Sequence, residues 1–434
     1  MKRFLLFLAA IVCAGSMMAQ TRKESNAWSG KLSVQGTELT LVFHLDGDSC
    51  TIDSPDQGVN GIPAKLEPTM MGIKVTIPAI NATYEGVYFK ENIMGTFTQN
   101  GHAFALQLKK GEPKRNRPQT PKAPFPYREE EVSFSNGTAV LKGTLTMPQD
   151  CSRQTPVLLM VTGSGLQNRD EELFEHKPFA VIADALARQG IATLRYDDRG
   201  FGASTGDVAN MTTEDLKNDA LAGIQLLRNR FDHVGVLGHS EGGTIGLMLA
   251  AEGKADFVVS MAGNIVSGEQ TLLSQNRWAL QKAGYSQEVT DRYLEVLKQL
   301  FDDLKNGKIA EPANADLPTE LQRNLQAVKV QASTPYMRYL LALDVSKQLG
   351  AINCPVLALN GTKDRQVACE ENLNALSSGL KGQKDIRAIE GVNHLFQHCT
   401  TGDFTEYNII EETIAPEVID AIIAWLKTGL ASVR

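Results

Sequence analysis

The sequence predicts an α/β architecture: a mostly parallel sheet covered by helices, with a helical cap inserted into it and a small antiparallel β domain in front. Three observations predict it. From about Val132 onward short apolar runs alternate with amphipathic segments, and between about Asn264 and Gly350 that alternation gives way to helical periods alone. A Pro-rich basic stretch separates all of this from an earlier region that shows only strand-like runs.

Along the chain, Met1-Lys2-Arg3 is a short cationic start and Phe4 to Val12 an unbroken apolar run, followed by small and weakly polar residues to Ala19-Gln20. That layout predicts a secretory signal peptide over residues 1–19, its apolar run too short to span a bilayer. Export to the periplasm or beyond the cell is therefore expected. A lipoprotein site at Cys13 is disfavoured, because bulky Val12 precedes it where a small residue is wanted. Residues 20–112 read as the β-rich domain, with strand-like runs at Leu32–Val34, Leu39–Phe43, Gly72–Ile77, Tyr84–Phe89, Met94–Phe97 and Phe104–Leu108. Residues 113–124, polar and rich in Pro, Lys and Arg, read as a linker.

Residues 125–434 make the larger domain. It opens with a hairpin over Val132–Met147, turning at Asn136-Gly137. Buried strands are expected at Val157–Val161, Ile191–Tyr196, Val234–Leu237, Phe257–Met261, Val356–Leu359 and Ile386–Ile389. Helices are expected over Ala180–Arg188, after a capping box of Thr212 and Asp215, over about Ser240–Glu252, Glu370–Leu380 and Pro416–Leu426. The insertion at about 265–350 carries the helical period of Leu294, Leu297, Phe301 and Leu304. A helical insertion in such a sheet reads as a lid, since ligands bind beyond the carboxyl ends of the strands.

Composition narrows the function classes. With 434 residues, 42% hydrophobic and 21% charged, the chain has ample means to bury a core. A net charge of −7 supplies no basic face for phosphates, which argues against a nucleic-acid partner. No stretch beyond the first twenty residues is long and apolar enough for a membrane helix, so no membrane span is expected in the mature chain. Cys50, Cys151, Cys354, Cys369 and Cys399 are sparse and lack C-x-x-C spacing, so neither a disulfide scaffold nor a zinc site is indicated. An oxidising compartment allows one disulfide, and the spacing does not choose the pair. The sequence leaves oligomeric state open.

Two segments match G-x-S-x-G. Gly202 to Gly206 lies in a polar loop, whereas Gly238-His239-Ser240-Glu241-Gly242 lies directly between an apolar strand and an apolar helix. A nucleophile elbow needs the second context, so Ser240 is the candidate nucleophile and Ser204 the decoy. A serine hydroxyl needs a base, and the order Ser, acid, His leaves His394 and His398. His394 follows a strand closely and is preferred; His398 is one helical turn later. Reading the two as a metal pair finds no third ligand, and no metal site is expected. For the acid, Asp364 follows Leu359 at a strand end, while the rivals Glu370 and Asp403 do not. The oxyanion donors are expected from the backbone N–H groups of Glu241 and of Ser164, in the loop Thr162-Gly163-Ser164-Gly165.

From about Val132 to its C-terminus the chain resembles bacterial α/β-hydrolase esterases of the EstD type, related to serine-peptidase-like hydrolases. The resemblance rests on Gly163-Ser164-Gly165 followed by Arg169-Asp170-Glu171, and on Arg195-Tyr196-Asp197-Asp198-Arg199-Gly200 with Gly202 and Ser204. It rests further on Gly238 to Gly243, on Pro335-Tyr336-Met337-Arg338-Tyr339, on Gly361 to Asp364 and on Asn393-His394. It implies hydrolysis of small-molecule carboxylic esters, with short acyl chains and without a cofactor. One departure is visible: Leu166-Gln167-Asn168 stands where such chains are expected to carry Pro-Gln-Asp. A peptidase is the rival within enzymes, with Glu171, Glu172 and Arg338 the candidates for holding a charged peptide terminus. A binding protein on a hydrolase scaffold is the rival outside them. The N-terminal domain resembles the extra module of secreted hydrolases from Bacteroidetes-type bacteria, with Asp53 to Gly58 typical of it. Its Trp28, Tyr84 and Tyr88 could offer stacking faces to a sugar but read as packing residues.

Overall fold

The computed structural model describes residues 26–34, 37–46, 49–55, 59–111, 115–308 and 316–429, so the expected signal peptide and Cys13 lie outside the described residues. The chain divides into two compact units, with the boundary at Asn116 and Arg117, inside the expected linker. Residues 403–411 belong with the first unit and residues 412–434 with the second.

The first unit is a closed antiparallel barrel of eight strands, β1 Ala27–Val34, β2 Thr37–Asp46, β3 Ser49–Ser54, β4 Val59–Pro68, β5 Gly72–Ile77, β6 Ala82–Phe89, β7 Asn92–Gln99 and β8 His102–Lys110. Each strand pairs with the next, and Ser29 of β1 opposite Lys109 of β8 closes the ring. Strands β3 and β4 and the closure are not anticipated above. β3 is mostly polar, and β4 carries Gly61, Pro63 and Pro68, residues that depress a strand signal. Inside, alternate residues make one core of Phe43, Ile52, Val75, Ile77, Tyr84, Ile93 and Leu108. Tyr84 is fully buried, and its hydroxyl donates to the carbonyls of Ile93 (3.1 Å) and Leu106 (3.2 Å). Its side chain occupies the space where Gly86 and Gly95 have no side chain, with its nearest atom 2.7 Å from the ideal Cβ position of each. Tyr84 is thus a packing residue, whereas Tyr88 is half-exposed and meets Trp28 edge-on, 6.0 Å between ring centres.

The second unit is built on an eight-stranded sheet. Its strands are β9 Tyr127–Asn136, β10 Ala139–Pro148, β11 Val157–Val161, β12 Ala192–Tyr196, β13 Val234–His239, β14 Val258–Met261, β15 Val356–Gly361 and β16 Lys384–Ile389. They lie in the order β16-β15-β14-β13-β11-β12-β10-β9. The hairpin β9–β10 turns at Gly137-Thr138 and adds antiparallel pairs at one edge, while the other pairs are parallel. β11 is followed in sequence by β12 on one side and by β13 on its other side. That reversal is a topological switch point, and it opens a crevice at the carboxyl ends of β11 and β13.

Both faces of the sheet are covered. Helices α2 Thr213–Arg228, α3 Glu241–Ala251 and α8 Cys369–Gly379 bring side chains to one apolar cluster, and α1 Pro178–Ala187 and α9 Pro416–Gly429 to the other. α2 carries the expected capping box: the Thr212 N–H donates to Asp215 Oδ2 at 2.9 Å. Four helices form the cap, α4 Gly268–Lys282, α5 Gln287–Lys305, α6 Thr319–Ala332 and α7 Pro335–Ala342, around a core of their own that includes Leu294, Leu297, Phe301 and Leu341. The expected linker is strapped down at its far end. Arg117 Nη2 donates to the Phe174 carbonyl (2.9 Å) and Gln119 Nε2 to the Ile414 carbonyl (2.7 Å). Among the described residues, the cysteines at 50, 151, 354, 369 and 399 form no disulfide with one another.

Because Tyr84 fills the barrel, Tyr84→Ala should destabilise that unit by about 3–5 kcal/mol. Tyr84→Phe, which removes only the hydroxyl, should cost about 1 kcal/mol. Urea unfolding followed by circular dichroism checks both.

Candidate active site

The strand β13 ends at His239 and the helix α3 begins at Glu241, so Ser240 alone makes the turn between them. Its backbone sits at φ 54°, ψ −120°, a region that L-residues avoid at a cost of about 1–3 kcal/mol. The neighbours have to be glycine. A Cβ on Gly238 would lie 2.0 Å from the Gly242 carbonyl oxygen, and one on Gly242 would lie 2.0 Å from that of Val161. The turn thereby packs against the loop that follows β11, and the ideal Cβ of Gly163 falls 3.2 Å from the Ser240 Cβ. The other glycine-flanked serine has a different task. Ser204 is buried, donates to the Asp197 carbonyl (2.7 Å) and accepts from the Lys142 N–H (2.9 Å), pinning its loop to β10.

Asp364 and His394 follow β15 and β16 and come together at 2.7 Å, His394 Nδ1 to Asp364 Oδ2. Both are buried. The other carboxylate oxygen of Asp364 accepts the N–H groups of Gln366 (2.8 Å) and Val367 (2.9 Å), which fixes its orientation. A carboxylate on Nδ1 makes that nitrogen the donor and leaves Nε2 as the basic nitrogen of a neutral ring. The imidazole of His239, the residue before Ser240, lies 4.8 Å from that of His394, ring centre to ring centre. The rivals lie elsewhere. His398 is half-exposed between Glu412 and Glu417, both at 2.9 Å. Glu370 sits in the first turn of α8, and Asp403 accepts from the Thr405 N–H at 3.0 Å.

Among the described residues, neither Ser164 nor Glu241 spends its backbone N–H on a protein acceptor. The Ser164 hydroxyl lies near enough to the Glu241 carboxylate to favour its ionised form. That carboxylate is buried and accepts from Thr213 Oγ1 (2.6 Å) and from Tyr336 OH of the cap helix α7 (2.5 Å). Burial pushes the Glu241 pKa up, against the three hydroxyls that lower it. Asp198 lies beneath the same loop, accepting from Thr162 Oγ1 (3.0 Å) and the Gln167 N–H (2.8 Å). Burial holds its pKa well above the ordinary carboxylate value.

Two residues of this centre are not singled out for it above. Glu171 Oε1 accepts the Gly163 N–H (2.8 Å) and meets His239 Nδ1 (2.9 Å), and His239 Nε2 meets the His394 carbonyl at 2.9 Å. A glutamate shortly after a glycine loop and a histidine before the serine are the only local signals; their partners are remote in sequence. Nor does the structure gather the candidates for a peptide terminus. Glu171 is engaged as described, Glu172 is exposed and pairs with Lys177 at 3.4 Å, and Arg338 is exposed on α7. The charged run after β12 shapes the loops: Arg169 binds Asp197 (3.0 Å) and Arg199 binds Asp219 (2.7 Å). Among the described residues no group of three His, Cys, Asp or Glu side chains is placed to hold a metal ion.

The crevice therefore holds a strained serine, a histidine–aspartate pair and two unspent N–H groups, the parts of a nucleophilic hydrolase. The chain is similar to several known proteins. Esterase EstD of Thermotoga maritima is 27% identical over 308 residues, which is 70% of this chain and 68% of its own. Est1E from Butyrivibrio proteoclasticus, solved with ferulic acid bound, aligns with 69% of this chain and 99% of its own at 18% identity and a TM-score of 0.44. Proline iminopeptidase from Mycobacterium smegmatis aligns with 70% of this chain and 100% of its own at 15% identity and the same TM-score of 0.44. Residues 136–400 match the X-Pro dipeptidyl-peptidase (S15) family, and the chain is a hydrolase belonging to that family, with the α/β-hydrolase fold.

Proposed function

We propose that this protein is a serine carboxylesterase that works through an acyl-enzyme on Ser240. The observation that carries the reading is the buried 2.7 Å pair of Asp364 and His394 at adjacent strand ends, beside the strained turn of Ser240. In the proposed reaction His394 Nε2 takes the proton of Ser240 as Oγ attacks the ester carbonyl. Asp364 holds the imidazole in its tautomer and stabilises the cation that forms. The tetrahedral oxyanion accepts the N–H groups of Glu241 and Ser164, at the positive end of α3. The alcohol leaves with the proton from His394. Water, deprotonated by the same histidine, then releases the acid.

An ester substrate is favoured by the likeness to the Thermotoga esterase, and a short acyl chain is what the sequence resemblance implies. The family's name favours a second reading, a peptidase releasing X-Pro dipeptides. Against it stands the absence, among the described residues, of Glu171, Glu172 and Arg338 converging on one place.

Hydrolysis of p-nitrophenyl esters from acetate to laurate tests the proposal, with the p-nitroanilide of one acyl group and an X-Pro p-nitroanilide in parallel. Esters, the short ones foremost, should be cleaved; cleavage of X-Pro anilides alone would move the assignment to the peptidase. Ser240→Ala should lower kcat by about 10⁴-fold or more, and Asp364→Asn by about 10³–10⁴-fold through loss of the tautomer. Ser204→Ala should stay active while losing about 1–2 kcal/mol of stability, because it strands the buried Lys142 N–H. An inactive, folded Ser204→Ala would return the nucleophile to the other glycine motif.

A further inference from the structure

Glu171 and His239 are among the buried ionisable side chains that the acyl-transfer steps leave unused. They touch the oxyanion loop, the serine turn and the histidine loop, yet neither takes part in any step. Glu171 is held at φ 52°, another left-handed non-glycine residue, and only 4% of its surface is exposed. Strain of this kind persists where surrounding contacts over-determine it. Here those contacts are the Gly163 N–H at 2.8 Å and His239 Nδ1 at 2.9 Å, both on Oε1.

The protonation of His239 follows from its two partners. Nε2 faces the backbone carbonyl of His394 at 2.9 Å, and a carbonyl oxygen can only accept, so Nε2 carries a hydrogen. Nδ1 faces a carboxylate, which also accepts when ionised, so Nδ1 carries one too. A ring donating from both nitrogens is an imidazolium. Although burial opposes charge on this ring, the charge and hydrogen bond of Glu171 and the His394 carbonyl hold its pKa above the ordinary histidine value. Glu171 balances the charge, so the pair presents a dipole to His394 rather than a net cation.

We propose that the buried Glu171–His239 ion pair is the positioning device of this active centre, setting the oxyanion loop, the nucleophile and the catalytic histidine relative to one another. This rests on the reading of Ser240 as the nucleophile. Through the Gly163 N–H the pair places the N–H of Ser164, the next residue. Through covalent adjacency it places Ser240. Through the His394 carbonyl it places the general base by its backbone, while Asp364 grips the side chain. Hydrogen bonds with an ionised donor or acceptor are shorter and about twice as strong as neutral ones, which suits a clamp on three loops remote in sequence. A displacement of about 1 Å among reacting groups is enough to cost about 100-fold in rate.

The test uses the full chain and p-nitrophenyl acetate, with Ser240→Ala as the control on the underlying reading. Glu171→Gln can still accept from the Gly163 N–H but cannot support the cation. It should lower kcat about 10- to 100-fold with KM within about twofold, and slow fluorophosphonate labelling of Ser240 in step. His239→Asn should do the same, and the double variant should fall no further than the worse single, since the pair acts as a unit. In wild type, nitrogen-15 spectra of labelled histidine should show both ring nitrogens of His239 protonated at pH 7. The signal is identified by its loss in His239→Asn, and this measurement needs no folded Glu171 variant. Wild-type kcat in Glu171→Gln, or a single protonated nitrogen on His239, overturns the proposal while Ser240→Ala remains inactive. Activity surviving in Ser240→Ala overturns the nucleophile itself.

Discussion

Ser240 cannot relax. At φ 54° its backbone holds the hydroxyl at the head of α3 in a conformation that an L-residue leaves whenever it can, and the surrounding packing decides whether it stays. Much else in the larger unit follows from keeping it there. Gly238 and Gly242 have no room for a side chain, Gly163 stands against the serine, and the Ser240 N–H is fixed to the Met261 carbonyl at 2.8 Å. The strain therefore does not sit in a loose loop. It sits between three parallel strands whose register is set by burial on both faces.

Around that fixed point the carboxylates divide the work by environment. Asp364 receives two backbone N–H groups besides the ring of His394, which makes it a rigid acceptor. Glu171 receives one N–H and a second histidine ring, His239. Glu241 receives the hydroxyls of Thr213 and Tyr336, a gentler solvation that leaves burial dominant and its pKa raised. Two histidine–carboxylate pairs thus meet at His394, one gripping its side chain and the other, through His239, gripping its backbone. In the proposed reaction the first pair has the chemistry and the second the geometry.

How much of this was legible in the sequence depended on distance along the chain. The strands and helices of the larger unit carry their own periods and caps, and Ser240, Asp364 and His394 each announce themselves by following an apolar strand. The barrel was half legible: β5 and β6 read clearly, whereas polar β3 and proline-bearing β4 are strands only because their neighbours pair with them. Ring closure by Ser29 and Lys109 leaves no local trace at all. The centre behaves likewise. Glu171 is 68 positions from His239, and His239 is 155 from the carbonyl it binds, so spacing says nothing of either contact. The two G-x-S-x-G segments were separable because one turn joins a strand to a helix and the other does not.

The cap extends the same logic toward the substrate side. A buried carboxylate at Glu241 is costly unless donors converge on it, and its donors come from two different elements: Thr213 from α2 and Tyr336 from α7. The neighbouring Tyr339 repeats the contact, donating to Glu214 of α2 at 2.9 Å, and Lys217 joins Glu214 to Glu252 at the end of α3. The cap is thus bonded to the very residue whose N–H is proposed to receive the oxyanion, through a side chain rather than through the backbone. Such an arrangement ties the cap helix α7 to the first residue of α3, next to the glycine-packed turn of Ser240.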